Sequence, residues 1–397
     1  MLFDSLRNNS RILVYIVVVA FVAGGVLVGV SGLFNKSSSA SQKRQTAQVQ
    51  PGKQSIAIVN GKQISYTDYM QILQTMKRQY GGQISGNQIL ALKNKVLDQL
   101  INQELLLQKA KEDNLKVEVT DKEVQKQLDT LINNYAKSKK EFEKILVDRG
   151  LTLSGVKADL KTRLREQKLL QKIVNKLQSG VKVTNKEVKE AYKKAKGQEK
   201  LGKEFEKNKA KLKANLQKQK ANQALGKALN KYKKEVNIKV NSVELRAFRA
   251  AQKDNLDKAA SEYKQALELS PNATYLYINL AQVYQKQNNN ETALKTYKKA
   301  LNKDPKNLEL RFALGKYYYQ TSKKEKAVNE FNKASELAGD NLIAHYRLQG
   351  FYKKMGYEEK AKEEMKKVRE IQKKLAEKQK KAKAQQKEMN KNIKLDE

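Results

Sequence analysis

Hydrophobic and polar positions along this chain follow three different rhythms. Near the N-terminus, Ile12 to Phe34 carry no charge at all. A helix of that length reaches about 35 Å, against a hydrocarbon core about 30 Å thick. From about residue 68 to residue 236, apolar positions recur every three to four residues, the spacing of amphipathic helices. From Val240 onward, a period of 34 residues is laid over the helical one.

The middle rhythm predicts a hairpin followed by helices. Ile56–Val59 and Lys62–Ser65 flank Asn60-Gly61, the preferred pair for a two-residue type I′ turn. Helices are expected over Asp68–Tyr80 and Asn87–Asp113, the second with an apolar stripe of Ile89, Leu92, Val96, Leu100 and Leu107. Thr120 with Glu123, Ser138 with Glu141 and Thr184 with Glu187 have capping-box spacing. They open helices over Asp121–Ala136, Lys139–Arg149 and Asn185–Lys196, and a longer helix is expected over Gly155–Gln178. Lys196–Lys203 is then a short loop before a last long helix, Phe205–Val236. Leu212, Leu216, Leu225, Leu229, Tyr232 and Val236 line one face of that helix.

The third rhythm aligns Ala259, Ala293, Ala327 and Ala361, then Tyr263, Tyr297, Phe331 and Met365, then Ala266, Ala300, Ala334 and Val368. Leu280, Leu314 and Leu348 align as well, as do Tyr284, Tyr318 and Tyr352, and Pro271 and Pro305 close two units. Small residues where two helices cross, with large ones beside them, make the tetratricopeptide pattern. The expected units are 240–273, 274–307, 308–341 and 342–375. The first is weak, with Arg246 and Ala250 where Leu and Tyr belong. Ile371 to Glu397 is a polar Lys/Gln-rich helix, expected to cap the array and then fray.

First helices of such units line a concave groove. By register it offers Tyr275, Ile278 and Gln282, then Phe312, Lys316 and Tyr319, then Tyr346 and Lys353. These side chains could bind an extended or helical peptide, with lysines at the rim, or could simply stack between units. A carboxylate clamp for a cytosolic chaperone tail is not expected, because Glu244, Ile278, Phe312 and Tyr346 occupy one of its positions.

Composition narrows the chemistry. With no Cys there is no disulfide, thiolate or lipoprotein anchor, and the one His, His345, has no partner for a metal site. No catalytic residue, cofactor or metal is expected, and His345 is expected to be a packing residue. The net charge of +39 fits either a solvated lysine surface or an anionic partner such as lipid headgroups. Ten lysines lie in Phe205–Val236 against Glu206 and Glu235. No nucleic-acid motif accompanies this charge, so nucleic acid is not an expected partner.

Several stretches together resemble the SurA/PrsA/PpiD group of extracytoplasmic foldases: "LFDSLRNNSR" before the uncharged run, "AIVNGKQIS", "VLDQLINQELLLQKAKEDNLKVEVTDKEVQKQL", "LREQKLLQKIV" and "VTNKEVKEAY". The resemblance covers about Leu2–Val240. It implies a helical chaperone domain outside the cytoplasm, an orientation that the flanking Lys and Arg do not themselves decide. It also implies that a prolyl isomerase domain of the parvulin type usually follows the "VTNKEVKEAY" helix. The chain then returns through a long helix and a short strand, here "VNIKV". Both flanks are present here and the insert is not, and no His precedes His345 to furnish such a site.

The expected architecture is thus all-α. A transmembrane anchor (1–36) and a flexible linker (37–54) precede a SurA N-like helical domain with a small hairpin (55–240). A repeat array (241–375) and a polar helical tail (376–397) follow. The Ser-Ser-Ala-Ser stretch after Lys36 leaves cleavage of the anchor open. The expected function is a single-pass, membrane-anchored holdase for unfolded secreted or envelope chains, with a protein partner in the groove and no isomerase activity. A non-catalytic envelope scaffold and, third, a basic binder of anionic polymer or nucleic acid are the alternatives.

Overall fold

The structure, a computed structural model, describes residues 55–79, 86–196 and 203–393. The expected anchor and linker lie outside them, as does most of the Lys196–Lys203 junction. Among the described residues, no helix is long and apolar enough to cross a membrane. The described residues are mostly helical, with one small sheet, and the chain divides into two compact units whose main boundary follows Ser242, with residues 85–90 grouped with the second.

The first unit starts with β1 (Ser55–Val59) and β2 (Lys62–Ser65). Asn60 and Gly61 both have positive φ, 51° and 83°, as a type I′ turn requires. The following helices are α1 (Tyr66–Gln79), α2 (Gly86–Glu112), α3 (Asp121–Tyr135), α4 (Lys139–Val147), α5 (Leu153–Ser179), α6 (Asn185–Lys196) and α7 (Lys203–Glu235). The unit closes with β3 (Ile238–Val240), which pairs antiparallel with the other edge of β1 and gives the order β2-β1-β3.

The helix starts follow their caps. Thr120 and Glu123 form a full capping box at α3, and Thr184 and Glu187 exchange the same pair of bonds at α6. At α4 the box is split: Ser138 accepts from Glu141 N, but the Glu141 carboxylate accepts from Lys137 N instead. Val124, Leu128, Leu131, Phe142, Leu146, Val156 and Leu160 join α3, α4 and α5 in one core. On α2 the buried face is wider than the five-residue stripe. Leu97, Ile101, Leu105 and Leu106 are buried beside Leu92, Val96 and Leu107, whereas Ile89 and Leu100 are only half-buried.

Three lysines one turn apart on α5 hold the extended segment between α2 and α3. Lys168 Nζ donates to Glu118 O at 2.7 Å, Lys172 Nζ to Lys116 O at 2.8 Å, and Lys176 Nζ to Asp113 Oδ2 at 2.7 Å. Lys168 also pairs with Glu123, and that contact, with the Thr120 backbone N–H and hydroxyl, holds the Glu123 carboxyl down to about 2. Part of the basic excess is therefore structural.

The second unit is four helix pairs: α8 (Val243–Gln252) with α9 (Leu256–Leu269), α10 (Thr274–Lys286) with α11 (Asn290–Lys303), α12 (Leu308–Gln320) with α13 (Lys324–Ala338), and α14 (Leu342–Met355) with α15 (Glu358–Ile393). The turn inside each pair has a left-handed residue at the same place: Asp254, Asn288, Ser322 and Gly356, 34 residues apart. Asn255 and Asn289 then cap α9 and α11, while Asn307 and Asn341 cap α12 and α14. Tyr263, Tyr297 and Phe331 fill the helix crossings at 0–1% exposure.

The polar tail meets the last pair at its start: Ile371 is buried, Gln372 reaches the Tyr346 hydroxyl and Lys374 reaches Asp340. It then continues α15 as one helix to Ile393, and from Gln372 to Gln385 every side chain is exposed. That stretch has one large apolar residue, Leu375, too little to fold back onto the end of the array.

Two predictions follow from the packing. A Cβ on Gly315 would lie 2.6 Å from the Phe331 ring, which is itself stacked on Phe351 at 4.6 Å. Gly315→Ala should destabilise by about 1–3 kcal/mol in urea denaturation, although helix propensity alone favours Ala by about 1 kcal/mol. A net gain in stability would contradict the close crossing.

The second prediction concerns Glu364 of α15. It is 3% exposed and accepts from Ser335 Oγ at 2.6 Å and Lys367 Nζ at 3.0 Å, with His345 Nδ1 at 2.5 Å. Burial pushes its pKa up, but these hydrogen bonds outweigh burial and leave it below the ordinary carboxylate value. A depressed carboxyl stabilises the fold above its unfolded pKa, and the contribution is lost as pH falls through the folded one. Glu364→Gln should therefore cost most near neutrality and progressively less toward about pH 3. A gap between wild type and variant that widens with acid would contradict this placement.

Candidate functional site

The first helices α10, α12 and α14 start at equivalent residues, Thr274, Leu308 and Leu342, so positions along them compare directly. At the second position stand Tyr275, Glu309 and Ile343. At the fifth stand Ile278, Phe312 and Tyr346. The ninth holds Gln282, Lys316 and Gly350, and the twelfth Gln285, Tyr319 and Lys353.

The fifth position divides the expected groove. Ile278 and Phe312 are 1% and 2% exposed, whereas Tyr346 is 43% exposed. Consecutive first helices pack directly on one another, and that contact consumes the side chain at this position. The Arg347 guanidinium lies 3.9 Å above the Phe312 ring centroid, held there by Glu309 at 2.6 Å. Phe331 and Phe351 close the same ring at 6.3 and 6.4 Å. Ile278 and Phe312 were expected in the groove, and the structure places them in the core of the array.

The other expected groove residues lie at the surface to different degrees. Tyr275 is half-buried and donates its hydroxyl proton to Glu244 Oε2 at 2.6 Å, so part of its polar capacity serves the junction with the first pair. Gln282 is half-buried. Lys316 and Lys353 are exposed, and Tyr319 is 38% exposed. Among the expected groove residues, the exposed aromatic and basic groups thus lie on α12 and α14.

Two apolar neighbours of Tyr346 escaped the register argument. Ile343, one turn earlier on α14, is 54% exposed. Leu375 on α15 is 45% exposed and lies one turn beyond Gln372, whose Nε2 donates to the Tyr346 hydroxyl at 3.1 Å. The pattern could have flagged Ile343, since it shares a face with Tyr346. Leu375 required knowing that α15 runs on past the last crossing.

His345 sits behind this face, 2% exposed, with Glu364 at Nδ1 and Gly339 O 2.8 Å from Nε2. It packs and bonds within the fourth helix pair. No group of His, Cys, Asp and Glu that could hold a metal is found among the described residues.

The first unit offers much less apolar surface than its sequence stripes suggest. Leu164, Leu169, Leu170, Ile173 and Val174 of α5 are buried. Among its described residues, Tyr66 and Val147 are the large apolar ones with substantial exposure, at 37% and 73%. At the α6–α7 junction, Tyr192 and Phe205 meet edge to face at 5.1 Å, within a cluster that includes Val183 and Val188. The two helices are thus clamped together on either side of Gly197–Gly202.

Comparison with known proteins fits these two units. Residues 2–170 match the family model of the SurA-like N-terminal domain, and residues 250–306 and 286–350 match that of the tetratricopeptide repeat. A curated relative named foldase protein PrsA, from Clostridium botulinum (strain Loch Maree / Type A3), is 35% identical over 150 residues, 34% of this chain and 43% of the relative. Another of the same name, from strain 657 / Type Ba4, is 32% identical over 171 residues, 39% of this chain and 49% of the relative. This chain therefore spans less than half the length of those relatives. A crystal structure of MamA protein shares 25% identity over 33% of this chain and 71% of that one, but its TM-score of 0.27 carries no argument.

The split at the fifth position is testable by stability alone. Phe312→Ala should cost about 3–5 kcal/mol in chemical denaturation, as large-to-small changes in a core do. Tyr346→Ala should stay within about 0.5 kcal/mol of wild type, as surface changes do. Equal costs at the two positions would mean that Tyr346 is packed as Phe312 is.

Proposed function

We propose that this chain is a membrane-anchored, non-catalytic chaperone that holds unfolded secreted or envelope polypeptides, and that its repeat array recruits a protein partner. The observation that carries the reading is the match of residues 2–170 to a SurA-like N-terminal domain in a chain whose α6 and α7 are joined by six residues. Six residues are too few to be a parvulin-type insert of about a hundred. The relatives' name, foldase, supports the chaperone part of the reading, and the uncharged Ile12–Phe34 run supports the anchor. The resemblance to extracytoplasmic foldases supports placing the body on the outer side of the membrane.

In this reading the first unit engages clients through modest exposed surface rather than a deep apolar cradle, because its stripes are spent on its own core. Lysine-rich α7 would favour acidic clients or anionic headgroups close to the membrane. A second reading, a scaffold of an envelope complex, is favoured by one observation: Tyr319, Ile343, Tyr346 and Leu375, four of the exposed large apolar residues, lie on the repeat unit.

Two assays on the full chain separate these readings. At near-stoichiometric ratio it should slow the aggregation of several unrelated denatured proteins, and at micromolar concentration it should not accelerate isomerisation of a proline peptide. Catalysis that survives repurification would overturn the non-catalytic reading. Failure to slow aggregation of any of several clients would favour the scaffold.

A further inference from the structure

Each first helix of the array is covered by the first helix of the next pair. Phe312 on α12 shows how: Arg347 and Phe351 of α14, four residues apart, lie over it and leave it 2% exposed. Tyr346 occupies the same position on α14, and among the described residues no helix lies over it in the same way. The continuation of α15 does not take that place, because its side chains from Gln372 to Gln385 are all exposed. Ile343, Tyr346 and Leu375 therefore form an open apolar face, whereas Phe312, the counterpart of Tyr346 one pair earlier, is closed by a helix.

Charge selects among possible helices. Lys353, two turns beyond Tyr346, and Lys378, one turn beyond Leu375, are exposed and flank the face. The stretch 372–385 carries six lysines and one glutamate. A second copy stacked end to end would bring two such stretches together, and like charges at close range are unfavourable. An acidic helix meets attraction at the same place.

We propose that the open end of the array, Ile343 and Tyr346 of α14 with Leu375 of α15, docks an amphipathic acidic helix from a partner protein. The incoming helix stands where the first helix of a fifth pair would be. It presents large side chains at i and i+4 to Tyr346, as Arg347 and Phe351 do to Phe312, and glutamates to Lys353 and Lys378. This deepens the partner-recruiting half of the proposed function and does not depend on the chaperone half.

The probe is a fluorescent 21-residue helical peptide with Leu and Phe at i, i+4, i+7 and i+11 and glutamates on its flanks, beside a copy with lysines in place of the glutamates. Both are titrated against the full chain in zwitterionic nanodiscs, which offer no competing anionic lipid. The acidic peptide should saturate, and at least tenfold more tightly than the lysine copy. Ile343→Ser/Tyr346→Ser should weaken it at least tenfold with helicity by circular dichroism unchanged, and Lys353→Gln/Lys378→Gln should weaken it and flatten its salt dependence.

Equal binding of the two peptides, or binding indifferent to Ile343→Ser/Tyr346→Ser, would overturn the proposal. So would a sedimenting dimer that Tyr346→Ser dissolves, since the occupant would then be a second copy. Peptide binding without any holdase activity would leave this site standing and remove the chaperone reading alone.

Discussion

β1 is the middle strand of its sheet, and its two partners come from opposite ends of the first unit. β2 follows directly through Asn60-Gly61, but β3 arrives only after every helix of the unit. Asn60 N donates to Asn237 O at 2.8 Å and Asn241 N to Ile56 O at 2.9 Å, so the return strand is fixed at both ends. Closing a loop of roughly 180 residues has a length-dependent cost of about 4–5 kcal/mol, because that cost rises only with the logarithm of length. Another hundred residues in the same loop would add roughly 0.4 kcal/mol. The junction between α6 and α7, clamped by Tyr192 and Phe205, can therefore carry a domain or six residues with little effect on the rest of the unit.

In the second unit the equivalent constraint is the contact between successive first helices. It hides Ile278 and Phe312 and leaves Tyr346 open, so the array has one chemically distinct end. Its aromatic residues divide accordingly. Tyr297, Phe312 and Phe331 hold the pairs together, and Tyr319 and Tyr346 remain at the surface. The lysines divide in the same manner. Lys168, Lys172 and Lys176 hold the segment before α3, while those between Gln372 and Gln385 on the continuation of α15 are exposed, with Lys374 reaching Asp340 Oδ1 at 3.5 Å.

Much of this fold was legible in the sequence because local chemistry and tertiary structure agree. Asn60-Gly61 made its turn, Thr120 and Thr184 capped their helices, and the 34-residue spacing of Ala259, Ala293, Ala327 and Ala361 marked the crossings. What escaped depends on contacts between elements. A repeat register states which face Phe312 is on, but not that Arg347 will cover it. A heptad-like stripe on α2 understates a helix packed on more than one side. The left-handed residues Asp254, Asn288, Ser322 and Gly356 share a backbone state but no residue type, so pattern matching passed over them. Of the eight expected groove residues, Tyr319, Tyr346, Lys316 and Lys353 are exposed, Tyr275 and Gln282 are half-buried, and Ile278 and Phe312 are core.

A protein with little exposed apolar surface on one unit and a concentrated apolar end on the other is suited to two kinds of contact: weak and general on the first, defined on the second. The measurement that separates them most directly is site-specific photocrosslinking in living cells, with the crosslinker at Val147 in the first unit or at Tyr346 in the second. Many unrelated envelope or secreted proteins captured at Val147, and one dominant partner at Tyr346, is the predicted result. A single dominant partner at both positions, with no spread of clients at Val147, would contradict the account.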